Sequence, residues 1–426
     1  MLFSLFYEII LILLALVSLP SFLFQLIFKK KYRNNILQRL GCKFPQIEKS
    51  GRRLIWIHAV SVGETKAISS FVKRIKAEPN PPVILFSNTT ETGHSEACQT
   101  IKADYHVYLP FDFGWIIKRI VKKVSPDLVI LCESDFWVNF LHTAKRIGAQ
   151  IAVINGKISE RSAKRLAKWP TFASKLFSPV DFFCIQNQLY LDRFVQLGVL
   201  KPKCMISGNI KFDSEYPSMP ERELIEWQKR LGITPDDLVI VAGSSHHGEE
   251  SLIMRIFTSL SKDFPTAKLL IVPRHPERFD EVGRLLSTGS VSFSRLSQNN
   301  ANPQTKIILI DAMGHLRQMY QLADIAIVCG SFVKNIGGHN ILEPSWYGVP
   351  VLFGPYMHNQ PELVDLVLEN EAGLQVDGSL LPSVLSELLS DQEKRNRLGS
   401  HGVQLTSKIH GATAKTILFL KEKAFL

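Results

Sequence analysis

Cysteines are few in this sequence, and none sits in a binding arrangement. The six, at positions 42, 98, 132, 184, 204 and 329, form no C-x-x-C pair, and none lies at zinc spacing from a histidine. That excludes a disulfide scaffold and a zinc module, and the thiols read as reduced and mostly buried, in a cytosolic compartment. The patterns G-x-x-x-x-G-K-[ST] and G-x-G-x-x-G are missing, which argues against a P-loop protein and a NAD-dependent oxidoreductase. There is no RNP, zinc-finger or helix-turn-helix signature, so the formal net charge of +11 is not read as nucleic-acid binding. Acid is scarce near the start: from Lys29 to Arg53, nine Lys or Arg face one acid, Glu48.

At 426 residues, 46% hydrophobic and 21% charged, the chain is long enough for two or three domains and too apolar to be disordered. Its positive charge calls for an anionic partner, such as anionic lipid or a phosphorylated substrate. The stretch Leu2 to Phe28 is almost wholly apolar. As a helix it would run ~40 Å at ~1.5 Å per residue, against ~30 Å for a hydrocarbon core. It has no positive start and no A-x-A site, unlike a signal peptide, and no polar stripe, unlike a core helix. A membrane anchor over residues 1–28 fits best. Glu8 is then expected at the outer interface, and Pro20 at a kink or at a division between spanning and interfacial parts. The following KKKYR, Lys29 to Arg33, puts its side in the cytoplasm and attracts anionic headgroups.

Beyond the anchor, short apolar runs alternate with helical patterns. Expected strands are Leu54–His58, Val83–Ser87, Leu128–Cys132, Ile151–Asn155 and Phe182–Ile185, with helices at Glu64–Lys76, Thr92–Ile101, Phe136–Ile147 and Gln188–Gln196. A turn-rich stretch, Gly208–Pro220, interrupts the rhythm. A second series follows, with strands at Leu238–Ala242, Lys268–Val272, Lys306–Ile310, Asp324–Cys329 and Pro350–Phe353, and helices at Glu249–Ser261, Glu277–Leu286 and Asn340–Tyr347. The chain thus reads as two doubly wound α/β domains, 29–212 and 213–426, whose facing crevice is the default ligand site.

Polar motifs follow several of these strands, where ligand sites form. In His58-Ala-Val-Ser-Val-Gly-Glu64, the small Ser61 and Gly63 allow close approach, and Glu64 is either a first-turn carboxylate favoured by the helix dipole or a general base. Glu133 and Asp135 follow the Leu128–Cys132 strand; Glu133 points to function and Asp135 to a helix N-cap. Asn155-Gly-Lys157-Ile-Ser159 repeats the plan, with Ser159 as a cap. Lys211 lies in Gly208-Asn-Ile-Lys-Phe-Asp213, where it could meet a phosphate. The Gly243–Glu249 loop could offer N–H groups to a phosphate, and its His246 and His247 read as polar contacts. Arg274 and Arg278 suit bidentate phosphate recognition. In Gly337-Gly-His-Asn340-Ile-Leu-Glu343, two glycines permit close backbone approach, a following helix offers its N-terminus, and Glu343 could accept from ribose hydroxyls.

Taken in order, HAVSVGE, ESDFWVN, NGKISERS, GNIKFD, PRHPERF and GGHNILEP resemble the Kdo (3-deoxy-D-manno-octulosonic acid) transferases of lipopolysaccharide assembly, from about residue 29 to the C-terminus. The resemblance implies a GT-B fold: two Rossmann-like domains, acceptor side first and nucleotide-sugar side second. It implies CMP-Kdo as donor, a phosphorylated lipid A precursor as acceptor, and a body on the cytoplasmic side of the inner membrane, among anionic headgroups. Glu64 matches the general base; Glu133 and Lys211 match positions assigned to transition-state stabilisation. Arg274, His275, Met313, Gly314, His315, Asn340, Ile341, Leu342 and Glu343 match CMP-binding segments. His315 replaces the family's more common Glu. With no D-x-D motif and a donor carrying one phosphate, neither metal nor other cofactor is expected. A GT-B enzyme using a UDP- or GDP-sugar and a non-catalytic lipid-binding protein are the rival readings.

Overall fold

The computed structural model describes residues 2–28, 35–213 and 216–425. The Lys29–Arg33 cluster lies outside these. The chain forms two compact units, Met1–Ser214 with Ile409–Leu426, and Glu215–Lys408.

The first unit is built on seven parallel strands: β1 (Leu54–Ala59), β2 (Val83–Asn88), β3 (Tyr105–Tyr108), β4 (Leu128–Cys132), β5 (Gln150–Gly156), β6 (Phe182–Ile185) and β7 (Cys204–Ile206), in the order β3-β2-β1-β4-β5-β6-β7. Every residue of β1, β2 and β4 is buried, which is why these segments are mainly apolar with no polar alternation, the polar His58, Ser87 and Asn88 coming only toward the carboxyl ends. Alternate side chains feed opposite layers. Leu54 and Trp56 join Leu85, Leu131 and Phe140 on one face, while Ile55 and Ile57 join Phe71, Phe86 and Ile130 on the other. Strand order reverses between β1 and β4, so the carboxyl ends of these two strands flank the switch point at which such sheets bind ligands.

The second unit repeats the plan with β8 (Leu238–Ser245), β9 (Ala267–Pro273), β10 (Phe293–Arg295), β11 (Ile307–Leu309), β12 (Ile325–Val328), β13 (Val351–Phe353) and β14 (Gly373–Gln375), ordered β10-β11-β9-β8-β12-β13-β14. Its reversal falls between β8 and β12.

The last helix, Ala412–Glu422, belongs to the first unit, whereas the sequence reading carried the second domain to residue 426. The cause is local. Asp213, 3% exposed, accepts from the backbone N–H groups of Gly411 (2.7 Å), Ala412 (3.1 Å) and Thr413, so its carboxylate caps this helix. Phe419 and Phe425 then pack edge-on against Phe182, with ring centroids 5.3 Å away in each case.

The N-terminal helix spans Leu2–Ile27 without a break at Pro20. Among the described residues it is the one helix long and apolar enough to cross a membrane, over Phe6–Phe24. Glu8 is not at a free outer end. Its Oε1 accepts from the Gly114 N–H (2.7 Å) and Asn139 Nδ2 (2.9 Å), and the Tyr7 hydroxyl donates to Asp112 Oδ2 (2.9 Å).

Of the cysteines, 132, 184 and 329 are buried, 204 is half-buried, and 42 and 98 are exposed, so burial is less general than the sequence suggested. All are free thiols.

Candidate active site

At the carboxyl end of β1 the chain turns at Val60 and starts the helix Val62–Lys76 with Ser61 as its N-cap. Glu64 Oε2 accepts from the Val60 N–H at 2.7 Å, and Oε1 from Ser61 Oγ at 3.3 Å. This is the capping role open to any glutamate there. Burial raises the Glu64 carboxyl above its usual value; the Val60 N–H opposes this, and the nearby negative charge of Glu133 adds to it. A Cβ at Gly63 would meet only Ser61 Oγ within 4 Å, so the loop is open to a substrate.

Across the switch point, Glu133 leaves β4 with φ +66, a left-handed conformation costly for a non-glycine residue. It is 5% exposed, and its oxygens meet two lysines: Oε1 lies 2.8 Å from Lys211 Nζ and Oε2 2.8 Å from Lys157 Nζ. Lys157 follows β5, and Lys211 sits in a 3-10 turn, Ile210–Phe212. Asn155 ties the two loops, since its Oδ1 accepts from the Ile210 N–H at 3.0 Å. Glu64, Glu133 and Lys211 are thus brought to one end of one sheet.

Behind them His58 is wholly buried. Its Nε2 lies 3.0 Å from Asp135 Oδ2 and its Nδ1 2.9 Å from Ser87 Oγ. Asp135 also accepts from Trp137 Nε1 (2.6 Å) and caps no helix; the helix Val138–Arg146 starts at Trp137 with no side-chain cap. The expected N-cap is therefore replaced by a His–Asp–Trp cluster beside the Glu64 loop, in which His58 is buried and Asp135 and Trp137 are half-buried. Ser159 does cap its helix, accepting from the Ser162 N–H.

In the second unit, Arg274, Met313, Gly314 and Glu343 line one cavity of about 270 Å³, with Ser244 and Arg317. Gly314 has φ +88 and would present a Cβ to open space, so its backbone is bare toward the cavity. Burial raises the Glu343 carboxyl, against the pull of Arg317 and Arg274. Arg317 lies over the Tyr216 ring (4.5 Å), which stacks on Trp346 (4.9 Å).

Other sequence candidates stand apart from this cavity. His315 packs against Trp227. His275 lies edge-on to His246, which stacks on His339 with their Nε2 atoms 2.8 Å apart. Burial pushes both His246 and His339 down to about 4, so at neutral pH one uncharged ring donates to the other. His247 pairs with Glu281. Ile341 and Leu342 are core side chains, 0% and 1% exposed. Asn340 Oδ1 accepts from the Leu342 N–H.

Four phosphate-binding expectations are corrected. Asn340–Tyr347 forms no α-helix, only turns and the 3-10 segment Ser345–Tyr347, because Pro344 lacks an N–H and disfavours helical geometry at Glu343. The room at Gly337 and Gly338 is taken by the chain itself: a Cβ there would strike Asn359 at 2.4 Å and Met357 at 2.1 Å. In the Gly243–Glu249 loop, the chain supplies its own anion. The Glu249 carboxylate accepts from the N–H groups of His246, Gly330 and Phe332. Arg278 is likewise committed, paired with Glu250 (2.6 Å) and Glu281 (3.2 Å).

Residues 34–214 match the family described as 3-deoxy-D-manno-octulosonic-acid transferase (kdotransferase). The 3-deoxy-D-manno-octulosonic acid transferase of Chlamydia muridarum is 36% identical over 393 residues, 91% of this chain and 90% of its own. That of Haemophilus influenzae is 33% identical over 406 residues, 92% of each chain. The chain belongs to the Kdo transferase family. It is thus a glycosyltransferase of lipopolysaccharide biosynthesis. Among solved structures, the UDP-GlcNAc 2-epimerase of Neisseria meningitidis aligns with a TM-score of 0.55 at 15% identity, covering 86% of this chain and 99% of that one; a likeness this distant speaks for the GT-B-like fold alone. Two charged residues of this Kdo transferase's clusters were not singled out as site residues from the sequence. Lys157 was visible only as one basic residue in a polar loop, and nothing in the sequence distinguished Arg317.

Proposed function

We propose that this Kdo transferase takes Kdo from CMP-Kdo and transfers it, with inversion, to one or more hydroxyls of a phosphorylated lipid A precursor (lipid IVA) at the cytoplasmic face of the inner membrane. The observation that carries this reading is the pairing of Glu133 with Lys157 and Lys211 at the switch point beside Glu64. Glu64, in an open loop, removes the proton from the attacking sugar hydroxyl. Glu133 holds two ammonium groups in place, and Lys211 offsets the negative charge of the departing phosphate and the donor carboxylate. In the second unit, Arg274 pairs with the CMP phosphate, the bare Met313–Gly314 backbone lies along the nucleotide, and Glu343 accepts from ribose hydroxyls. His275, His315 and Asn340–Leu342 lie outside the cavity's lining and support it from behind. Domain roles follow: residues 29–212 bind acceptor and the second unit binds CMP-sugar. No metal step is required.

Incubating the purified full chain with CMP-Kdo and lipid IVA, and weighing the product, tests this directly. The expected result is acceptor mass raised by whole Kdo residues, unchanged by EDTA. Transfer from UDP- or GDP-sugars instead, or transfer abolished by chelation and restored by Mg²⁺, would overturn it.

A further inference from the structure

One carboxylate at the switch point is firmly held yet has no part in the transfer described above. Asp135 Oδ2 accepts from Trp137 Nε1 at 2.6 Å and lies 3.0 Å from His58 Nε2. Behind it runs a chain of buried donors. Trp56 Nε1 donates to Ser87 Oγ (2.8 Å), which lies 2.9 Å from His58 Nδ1. Trp56, Ser87 and His58 are each 0% exposed. A carboxylate only accepts, so His58 Nε2 carries the hydrogen given to Asp135. Nδ1 then accepts the Ser87 hydroxyl hydrogen, and every link has one direction. A satisfied polar network inside an apolar layer fixes the group at its end.

That group is open on one side. Both donors converge on Oδ2, whereas Oδ1 has no partner among the described residues, and the side chain is 28% exposed. Glu133, two residues earlier, has each oxygen on a lysine. Asp135 meets no lysine or arginine among the described residues, so its charge is left to a ligand. Burial is the main reason the Glu64 carboxyl is raised; Asp135 adds to this and His58 opposes it, so the pair lies within electrostatic reach of the base. His58 Nε2 also lies 3.4 Å from Thr89 Oγ1. Thr89 lines a cavity of about 500 Å³ with Thr90, Thr92 and Arg39, inside the range of ~300–1,000 Å³ usual for ligand pockets. The open oxygen, the base and this cavity thus share the carboxyl ends of β1, β2 and β4.

We infer that Asp135 orients the acceptor: held at Oδ2 by His58 and Trp137, it accepts through Oδ1 from a sugar hydroxyl beside the attacking one, and so selects which hydroxyl meets Glu64. This rests on the transfer proposed above. The group that suits Oδ1 is a hydroxyl and not a phosphate, because a phosphate there would meet like charge. A phosphorylated lipid sugar is therefore turned with its phosphate away from Asp135.

Asp135→Asn separates this role from a structural one. The His58 and Trp137 hydrogens keep the amide oxygen in the place of Oδ2. The network is then preserved, and the amide nitrogen, a donor, stands where Oδ1 accepted. With the full chain, CMP-Kdo and lipid IVA, at a pH above the Glu64 limb, the acceptor KM should rise about tenfold or more, the loss of a charge-assisted hydrogen bond. The KM for CMP-Kdo, CMP affinity and thermal stability should stay unchanged. Trp137→Phe removes one of the two holding donors and should raise the acceptor KM by a smaller factor. An unchanged acceptor KM in Asp135→Asn, or an effect confined to a shift of the pH limb, overturns the inference: Asp135 would then serve only the fold or the charge on Glu64. No transfer to lipid IVA by the unaltered chain overturns the proposed function as well.

Discussion

Glu133 Oε1 and Lys211 Nζ lie 2.8 Å apart, on a carboxylate that is 5% exposed and held at positive φ. The pair places fixed positive charge beside Glu64 without leaving that charge unbalanced in the resting site. It also bears on the protonation of Glu64, through the negative charge of Glu133. Burial raises the Glu64 carboxyl first, and Glu133 and Asp135 raise it further, while the Val60 N–H and His58 oppose them.

A base works only when ionised, so the raised value has a sign. Transfer (kcat/KM) should rise with pH through a limb above the ~4.3 of an ordinary glutamate. Glu133→Gln removes a negative neighbour and leaves Lys157 and Lys211 unneutralised. Both changes favour ionised Glu64, so the limb should move to lower pH. A pH profile whose limb stays fixed or moves upward would show that Glu64 is not the titrating base.

Glu64→Gln tests the same residue by amplitude. The amide can still cap the helix through its oxygen, so folding and CMP affinity should be preserved. Transfer should fall at least ~100-fold, the low end for losing a general base. Calorimetric CMP titration beside single-turnover transfer reads both, and near-normal turnover would reject the role.

The fold was legible wherever the hydrophobic pattern was strong, and the four strands not foreseen are β3, β7, β10 and β14. These are the outer strands of the two sheets, only three or four residues long. A strand paired on one side needs fewer apolar residues, so Tyr105–Tyr108 and Phe293–Arg295 carry polar residues and resemble loop. The site was legible where a motif follows a central strand, as with Glu64, Glu133 and Arg274. Its misreadings share a cause. Gly337, Gly338 and the Gly243–Glu249 loop have the composition of an anion cradle, but what fills such a cradle is decided by the folded chain: Asn359 and Met357 crowd the two glycines, and Glu249 of the loop itself takes the N–H groups of His246, Gly330 and Phe332.

The two arginines of Arg274-His-Pro-Glu-Arg278 should part company under mutation. Arg274 lines the cavity proposed to hold the nucleotide, so Arg274→Ala should weaken CMP binding by about tenfold or more, the loss of a charged hydrogen bond, and leave stability within ~0.5 kcal/mol. Arg278 pairs with Glu250, which is 1% exposed. Arg278→Ala strands a buried carboxylate and should cost about 3 kcal/mol, with CMP affinity of the folded protein unchanged. Equal effects of both on CMP affinity would contradict the division.

Asp213 should prove a structural residue despite its place in the Gly208-Asn-Ile-Lys-Phe-Asp213 motif. Its carboxylate accepts from three consecutive N–H groups that begin 198 residues later, at the start of Ala412–Glu422. Those donors have no partner within the helix. Asp213→Ala leaves them buried and unmet, and should cost about 2 kcal/mol, the upper range for a lost cap. Asp213→Asn keeps one acceptor oxygen and should lose less. The loss should appear first in the last helix, as faster amide exchange at Thr416 and Leu420, because Phe419 and Phe425 stay on Phe182 only while the helix start is held. Lys211 bonds to Glu133 and not to Asp213, so CMP affinity should not change. If Asp213→Ala instead abolished transfer with exchange unaltered, the residue would belong to the chemistry and the capping account would fail.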